Sequence, residues 1–219
     1  NIAVLMPKLK ELSGIEFLPN VVNSQKIDIK TGTIENVSDL SFSTMDNSGQ
    51  VICTENRIDC VFNFDIDHQE GIEDKFNIAS EIIQFIMKKA KVFANRLALN
   101  VTCLSNICNG NSVFEKQVMY VGPFYKNKTI KEWSSRTNAR GMMSINGIEE
   151  SLNIITEYTY ATEQTTKETR IICHTDINTI PENKDFRFES DSIAIFKKQA
   201  RSIFLEIQDD LEGLIQDEK

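Results

Sequence analysis

The sequence contains few of the residues that commonly carry catalysis or cross-links. It has two histidines and one tryptophan in 219 residues. Its five cysteines are an odd number, and no two of them are spaced as CxxC. Neither a complete disulfide framework nor a zinc ribbon is therefore indicated. We expect reduced thiols, which are typical of a cytoplasmic protein.

Motifs that mark known classes of active site are also missing. The glycine-containing segments match neither GxGxxG nor GxxxxGK[ST], so no phosphate-binding loop is indicated. GxSxG and HExxH do not occur either, which excludes the hydrolases that depend on those motifs. We expect no cofactor, and a non-enzymatic protein is favoured over an enzyme.

The charge balance and the short apolar runs bear on the partner. The chain has 24 basic and 32 acidic residues and a net charge of −8. Proteins that bind duplex nucleic acid usually carry a basic face, so nucleic acid is not the expected partner. No apolar run approaches the ~18–20 residues of a transmembrane helix, so no membrane partner is expected. Another protein is the partner that remains.

Several segments have the pattern of strands and turns. In 57–65, Ile58, Cys60 and Phe62 share one face of an alternating pattern, which is typical of an antiparallel strand with one buried face. The segment at 46–49 and the pair Asn146-Gly147 are turn signals, and Asn-Gly is the strongest short hairpin signal. Pro19-Asn20 is predicted as another turn.

Two segments have the period of amphipathic helices. The apolar stripe of the first comprises Phe76, Ala79, Ile83, Ile86, Ala90 and Phe93. The apolar stripe of the second comprises Ile193, Phe196, Ala200, Ile203, Ile207, Leu211 and Leu214. Strands followed by a long helix thus occur twice. This order predicts an α+β fold with antiparallel sheet and two long amphipathic helices on one face.

We treat residues 1–219 as a single α+β domain, and the alternative is a pair of half-domains at 15–105 and 113–219. The fragments "RIDC" at 57–60 and "RIIC" at 170–173 stand at corresponding places, each on the last strand before a helix. Their Ile and Cys share one alternation phase, as equivalent core positions would. A structural pseudo-repeat is one interpretation of this echo.

The acids and histidines that follow these fragments form one candidate metal site. Its residues are Asp65, Asp67, His68, His174 and Asp176. Imidazole and carboxylate groups suit a hard or borderline metal ion, which would support hydrolysis. The competing interpretation is that they cap and solvate the strand ends. Cys173 is not activated by His174, because adjacent strand residues point to opposite faces.

Two further groups are candidate binding residues. Ile203, Ile207, Leu211 and Leu214 would bind a protein partner if the last helix docks outside its own domain. The segment 126–140 is the most basic, and its candidates for single-stranded nucleic acid are Lys128, Lys131, Trp133, Arg136 and Arg140. The competing interpretation is a surface loop with Trp133 folded onto the core.

Parts of the chain resemble a sporadically distributed family of uncharacterised bacterial proteins. The resemblance rests on "RIICHTDIN" at 170–178, "ARSIFLEI" at 200–207 and "NRLALNVTC" at 95–103. His174 and Ala200 depart from the family pattern. The resemblance implies no assigned activity, and the family's scattered distribution suits mobile or antiviral defence genes.

Three hypotheses follow. The first is a cytoplasmic interaction protein that forms a homo-oligomer or is a subunit of a larger assembly with a co-encoded protein. The second is a chaperone-like or antitoxin-like module that holds a peptide on a sheet edge or in a helix groove. The third is a metal-dependent hydrolase built on the candidate metal site. The first is our leading prediction.

Overall fold

The computed structural model describes residues 2–27, 31–64, 69–105, 128, 132–162 and 165–216. Within them it contains three helices and two antiparallel four-stranded sheets, which confirms the α+β class. The chain divides into two compact units, Asn1–Phe93 with Glu189–Ala194 and Ala94–Phe188 with Ile195–Lys219. Residues 94–105, which the sequence interpretation joined to the first half, thus belong to the second unit.

The first unit contains two helices and the first sheet. Its elements are α1 (Ile2–Ser13), β1 (Phe17–Ile27), β2 (Ile34–Thr44), β3 (Gly49–Cys53), β4 (Ile58–Phe62) and α2 (Gln69–Ala90). The sheet order β1-β2-β3-β4 pairs each strand with its sequence neighbour. The predicted turn at 46–49 is confirmed: Asp46 accepts hydrogen bonds from the backbone N (3.0 Å) and Oγ (2.8 Å) of Ser48.

The core of the first unit contains Ile86 of the predicted α2 stripe, with Ile82 in place of the predicted Ile83. Its central residues are Leu9, Phe17, Phe42, Val51, Ile82 and Ile86. Ile82 is fully buried, whereas the predicted Ile83 is only half-buried. Phe93, also predicted for the stripe, is exposed because α2 ends at Ala90 and Lys91 adopts φ 55°. A residue in this left-handed conformation commonly terminates a helix.

The predicted turn at Pro19-Asn20 is wrong. Both residues lie inside β1, where Pro19 is opposite Phe42 and Asn20 is opposite Ser41. Among the described strands β1 is an outer strand of its sheet. A proline is tolerated in an outer strand because its missing N–H can lie on the unpaired side.

The second unit contains the second sheet and most of the last helix. Its strands are β5 (Ala98–Leu104), β6 (Trp133–Ile145), β7 (Ile148–Thr162) and β8 (Thr169–Thr179), in the order β5-β8-β7-β6. Helix α3 spans Ser192–Gln216. Asn146 (φ 53°) and Gly147 (φ 80°) form the predicted turn between β6 and β7. Two positive φ angles are the signature of a type I′ hairpin turn.

The two faces of β8 have different environments. Ile171, Cys173, Thr175 and Ile177 are buried on one face, and His174 and Asp176 lie on the other. Helix α3 lies over the buried face, where Gln208 Nε2 is 3.6 Å from Cys173 Sγ. The buried apolar residues of α3 are Ile193, Phe196, Ala200, Phe204 and Leu211.

The "RIDC" and "RIIC" fragments occupy similar but not identical places. Each lies at the last strand before a helix, β4 or β8, and their cysteines face the helix-covered side of the sheet. β4 is an outer strand of the described first sheet, whereas β8 lies between β5 and β7. The local positions therefore correspond, while the strand orders differ.

Candidate functional site

Two of the predicted metal ligands lie on the same face of β8. His174 Nδ1 is 2.9 Å from Thr102 Oγ1 on β5, and Asp176 Oδ1 accepts a 2.8 Å hydrogen bond from Asn178 Nδ2. Asp65, Asp67 and His68 lie outside the described residues. In the described part of the chain, no three His, Cys, Asp or Glu side chains are grouped so that they could hold a metal ion.

Two asparagines, one buried and one half-buried, lie beside Asp176. Asn178 is fully buried and lies opposite Asn153 on β7. Among described residues the Oδ1 atoms of both amides have no hydrogen-bond partner. Because these oxygens are not accessible to solvent, the pair is suited to internal hydrogen bonding and offers no open ligand site.

Three of the described thiols, those of Cys60, Cys103 and Cys173, have pKa values raised by burial. Burial raises the pKa of Cys60 to about 12, and burial together with the nearby Cys173 raises the pKa of Cys103 to about 11. Burial also raises the pKa of Cys173. Since the thiolate is the nucleophile, none of these three is activated at neutral pH.

The candidates for nucleic-acid binding do not form one exposed surface. Trp133 is 8% exposed, and its ring stacks on Tyr160 with a centroid separation of 6.3 Å. Arg136 and Arg140 are exposed and lie near acidic residues, at 3.9 Å from Glu157 and 3.2 Å from Glu182. Lys128 is exposed, and Lys131 lies outside the described residues. The ring of Trp133 is thus covered in this structure.

Of the predicted partner-binding residues of α3, some are buried within their own unit and others are partly exposed. Leu211 is buried, whereas Ile203 and Ile207 are half-buried. The side chain of Leu214 is not among those described. The centre of the buried stripe passes through Phe204 rather than Ile203, so α3 uses much of its apolar surface inside its own unit.

A shallow depression of about 320 Å³ lies on β6 and β7 of the second unit. Its lining residues are Arg140, Gly141, Met142, Ser151, Ile180 and Glu182. The Arg140–Glu182 ion pair is exposed, with both side chains more than half accessible. The lining contains no thiol or imidazole, and its polar side chains are those of Arg140, Ser151 and Glu182.

The first unit carries an exposed apolar surface feature, which we name the β1–β2 arm (residues 18–27 and 34–40). β1 and β2 pair over their whole length from Phe17↔Thr44 to Ile27↔Ile34, but β3 pairs only with 40–43 of β2. The arm therefore continues as a two-stranded ribbon beyond the third strand. A two-stranded ribbon alone is marginally stable in water.

Apolar side chains of the arm are open to solvent on both of its faces. Leu18 is 48% exposed, Val21 54% and Val22 44%. Ile34, at the start of β2, is 62% exposed. Single exposed apolar residues are ordinary, but several in a short strand indicate an interaction site. The arm is therefore our candidate docking surface.

The sequence alone did not identify the arm. Its apolar residues Val21 and Val22 follow the Pro19-Asn20 pair, which by itself predicts a turn, so the sequence pattern does not indicate a strand here. The signal available was the β-branched pair Val21-Val22 next to a polar run, which is compatible with an outer strand.

Comparison of the chain with protein-family models, with curated proteins and with solved structures finds no match. The resemblance to a family of uncharacterised bacterial proteins therefore stays a prediction. In the described part of the chain, none of the helices has the length and apolar character needed to cross a membrane.

Proposed function

We propose that the protein is a non-enzymatic interaction protein that assembles through the β1–β2 arm, with a second copy of the chain as the partner. The observation that carries this proposal is the exposure of Leu18, Val21 and Val22 on a strand that lies at the outside of the described sheet. Pairing of two such strands would cover these side chains and satisfy backbone groups that the strand leaves open.

The charge pattern of β1 suits pairing between two copies. Its eleven residues, FLPNVVNSQKI, contain Lys26 as the one charged residue. Antiparallel pairing about a two-fold axis at Val22 would set Val22 of one copy against Val22 of the other. Lys26 would then lie opposite Leu18, so no like charges would face each other across the seam.

The experiment is sedimentation velocity of the full chain at a series of concentrations. We expect reversible self-association, and we expect the double variant Val21→Glu/Val22→Glu to remain a monomer. Two carboxylates at the centre of an apolar seam would be desolvated and would repel their symmetry mates. A wild-type chain that stays monomeric at every concentration would contradict self-association through the arm.

A matched control is available in the second unit. Met142 and Ile148 are 60% and 61% exposed, so Met142→Glu/Ile148→Glu adds the same charge and removes a similar apolar area. This variant should associate like the wild type. Equal loss of association in both double variants would show that added charge, and not the arm, controls assembly.

The second candidate, a peptide-holding chaperone-like or antitoxin-like module, would use the same strand. An extended peptide can add to the outer side of β1 as a new strand. If the arm binds peptides, the wild-type chain should bind extended apolar peptides, and the Val21→Glu/Val22→Glu variant should lose this binding. The metal-dependent hydrolase has less support, because the described residues contribute only His174 and Asp176 to its ligand set.

The remaining proposals concern setting and ancestry. We propose a cytoplasmic location, which free thiols at Cys53, Cys60, Cys103 and Cys173 suit. Antiviral defence stays a proposal that rests on the family resemblance alone. We also propose a pseudo-repeat, in which a group of strands is followed by a long amphipathic helix. Its support is that Cys60 and Cys173 occupy equivalent core positions, and that in each unit the helices lie on one face of the sheet.

A further inference from the structure

We propose that Cys103 and Cys173 form a redox-active dithiol, which a hydroperoxide converts into a cross-strand disulfide that locks β5 onto β8. Nothing in the proposed assembly through the arm depends on this pair, because the arm and the two thiols belong to different units. The proposal rests on strand register, on the shared face of the two side chains and on their burial.

The register places the two cysteines directly opposite each other. Cys103 of β5 is the partner of Cys173 of β8 in an antiparallel pair. Ser105 N donates to Ile171 O and Thr179 N donates to Leu97 O, both at 2.9 Å. These bonds identify the odd-numbered positions of β5 as hydrogen-bonded pairs. The Cα atoms of such pairs are about 5.5 Å apart, which lies within the range of about 4.4–6.8 Å found for disulfides.

The two side chains share one face and have unequal access to solvent. Cys173 is buried, and its Sγ lies 3.6 Å from Gln208 Nε2 of α3. Cys103 is half-buried, so a small oxidant can reach it first. Cys103 is thus the thiol that the oxidant reaches first, and Cys173 completes the disulfide in a sheltered position beneath α3. Because burial raises the pKa of Cys103 to about 11, its thiolate is scarce at neutral pH, and we expect the reaction to be faster at higher pH.

The reaction is balanced without further reactants. The Cys103 thiol releases its proton to solvent, its thiolate attacks the peroxide oxygen, and the O–O bond breaks. The leaving alkoxide takes up a proton, so that a sulfenic acid and an alcohol form (water, if the oxidant is hydrogen peroxide). The Cys173 sulfur then attacks the sulfenic sulfur, and water leaves as the S–S bond forms. The two thiols lose two protons and two electrons, which the peroxide oxygens accept.

A second cysteine pair provides an internal control. Cys53 and Cys60 also share a sheet face, but Cys60 lies opposite Val51 and Cys53 lies opposite Ile58. They are therefore diagonal neighbours, for which the separation is about 7–8 Å. Cysteines whose Cα atoms are more than about 7 Å apart cannot be bridged without movement of the backbone. An oxidant should thus select Cys103–Cys173 and leave Cys53 and Cys60 reduced.

The consequence of the bond is a redox-dependent stabilisation of the second unit. It would close a loop that contains β6 and β7, and a long closed loop restricts the unfolded chain. In a reducing compartment such bonds are transient and commonly serve redox sensing. We expect the melting temperature of the oxidised chain to rise by about 5–10 °C, and dithiothreitol should reverse the shift.

The experiment uses the full chain carrying Cys108→Ser, because Cys108 lies outside the described residues. The reduced protein is treated with hydrogen peroxide, free thiols are alkylated, and peptides are mapped without reduction. We expect the Cys103–Cys173 linkage, with Cys53 and Cys60 alkylated. Adding Cys103→Ser should abolish both the linkage and the thermal shift, whereas adding Cys53→Ser/Cys60→Ser should preserve both.

Three results would overturn the proposal. One is recovery of Cys103 and Cys173 as alkylated thiols after the peroxide has been consumed. Another is a linkage between Cys53 and Cys60 in place of the expected one. The third is a thermal shift that persists in the Cys103→Ser variant. Circular dichroism of that variant before oxidation verifies that it folds, and Cys103→Ala serves as the second variant at this position.

Discussion

Glu150 and Arg187 form a two-pronged ion pair in the second unit. Arg187 Nε donates to Glu150 Oε1 and Arg187 Nη2 donates to Oε2, each at 2.7 Å. Arg187 Nη1 also donates to the backbone oxygen of Asn95 at 2.7 Å. Glu150 is buried and the Arg187 side chain is mostly so. The pair therefore ties the segment after β8 to β7 and to the chain just before β5.

Removal of either member should destabilise the protein strongly. Arg187→Ala leaves the Glu150 carboxylate buried without its cation, and we expect the free energy of unfolding to fall by about 3–5 kcal/mol. Urea denaturation followed by circular dichroism measures the change. Arg140→Ala is the matched control, because the Arg140–Glu182 pair is exposed and should contribute less than about 1 kcal/mol. Equal losses in the two variants would contradict the structural importance of the buried pair.

Stability should fall as the pH rises through the alkaline range. Burial raises the pKa of the Cys60 thiol from 9.0 to about 12. Below pH 9 the thiol is protonated in both the folded and the unfolded chain, so its contribution is fully present. Above pH 9 the unfolded chain releases the proton first, and the free energy of unfolding decreases by up to about 1.4 kcal/mol per pH unit. Denaturation of wild type and Cys60→Ala at several pH values measures this contribution, and an equal pH slope in both would contradict it.

The hairpin turn between β6 and β7 requires a residue that tolerates positive φ. Gly147 has φ 80°, and a side chain there is strained although no atom blocks its space. We expect Gly147→Ala to lower the free energy of unfolding by about 1–2 kcal/mol. Gly213→Ala, in the exposed part of α3, should instead raise it by up to about 1 kcal/mol. Urea denaturation measures both variants. A change of the free energy of unfolding in the same direction for both would contradict this account of the turn.

Trp133 reports on the basic segment because it is the single tryptophan of the chain. Its burial against Tyr160 predicts a blue-shifted emission and weak quenching by acrylamide. We expect single-stranded oligonucleotides to leave the emission unchanged, since bases need an open aromatic face for stacking. Strong quenching by an oligonucleotide at moderate salt would show that the ring becomes accessible and would restore the nucleic-acid hypothesis.

Local features of the fold were predictable from the sequence. Asp46 and Asn146-Gly147 carry their turn preference in their own side chains and backbone, so both turns could be placed without knowing the rest of the fold. The alternation in β8 likewise separated His174 from Cys173 correctly. These features depend on residues within a few positions of one another, and sequence patterns contain that information.

Features set by distant residues were not predictable in the same way. Pro19 signals a turn by itself, and only the outer position of β1 makes it acceptable in a strand. Ile82 and Ile83 are equally apolar, and the packing of α2 decides which one is buried. The Glu150–Arg187 pair and the register of Cys103 with Cys173 join residues far apart in the chain. Their partners follow from strand pairing, which a single sequence does not specify.

The exposed arm is the central element of the proposed assembly, and amide hydrogen exchange across β1 tests it most directly. Exchange is followed in the full chain at low and high protein concentration, with Val21→Glu/Val22→Glu as the control. We expect the amides of residues 20–25 to exchange at least about tenfold more slowly at high concentration in the wild type, and at an unchanged rate in the variant. Exchange in β1 that is independent of concentration, or protection confined to other strands, would contradict assembly through the arm.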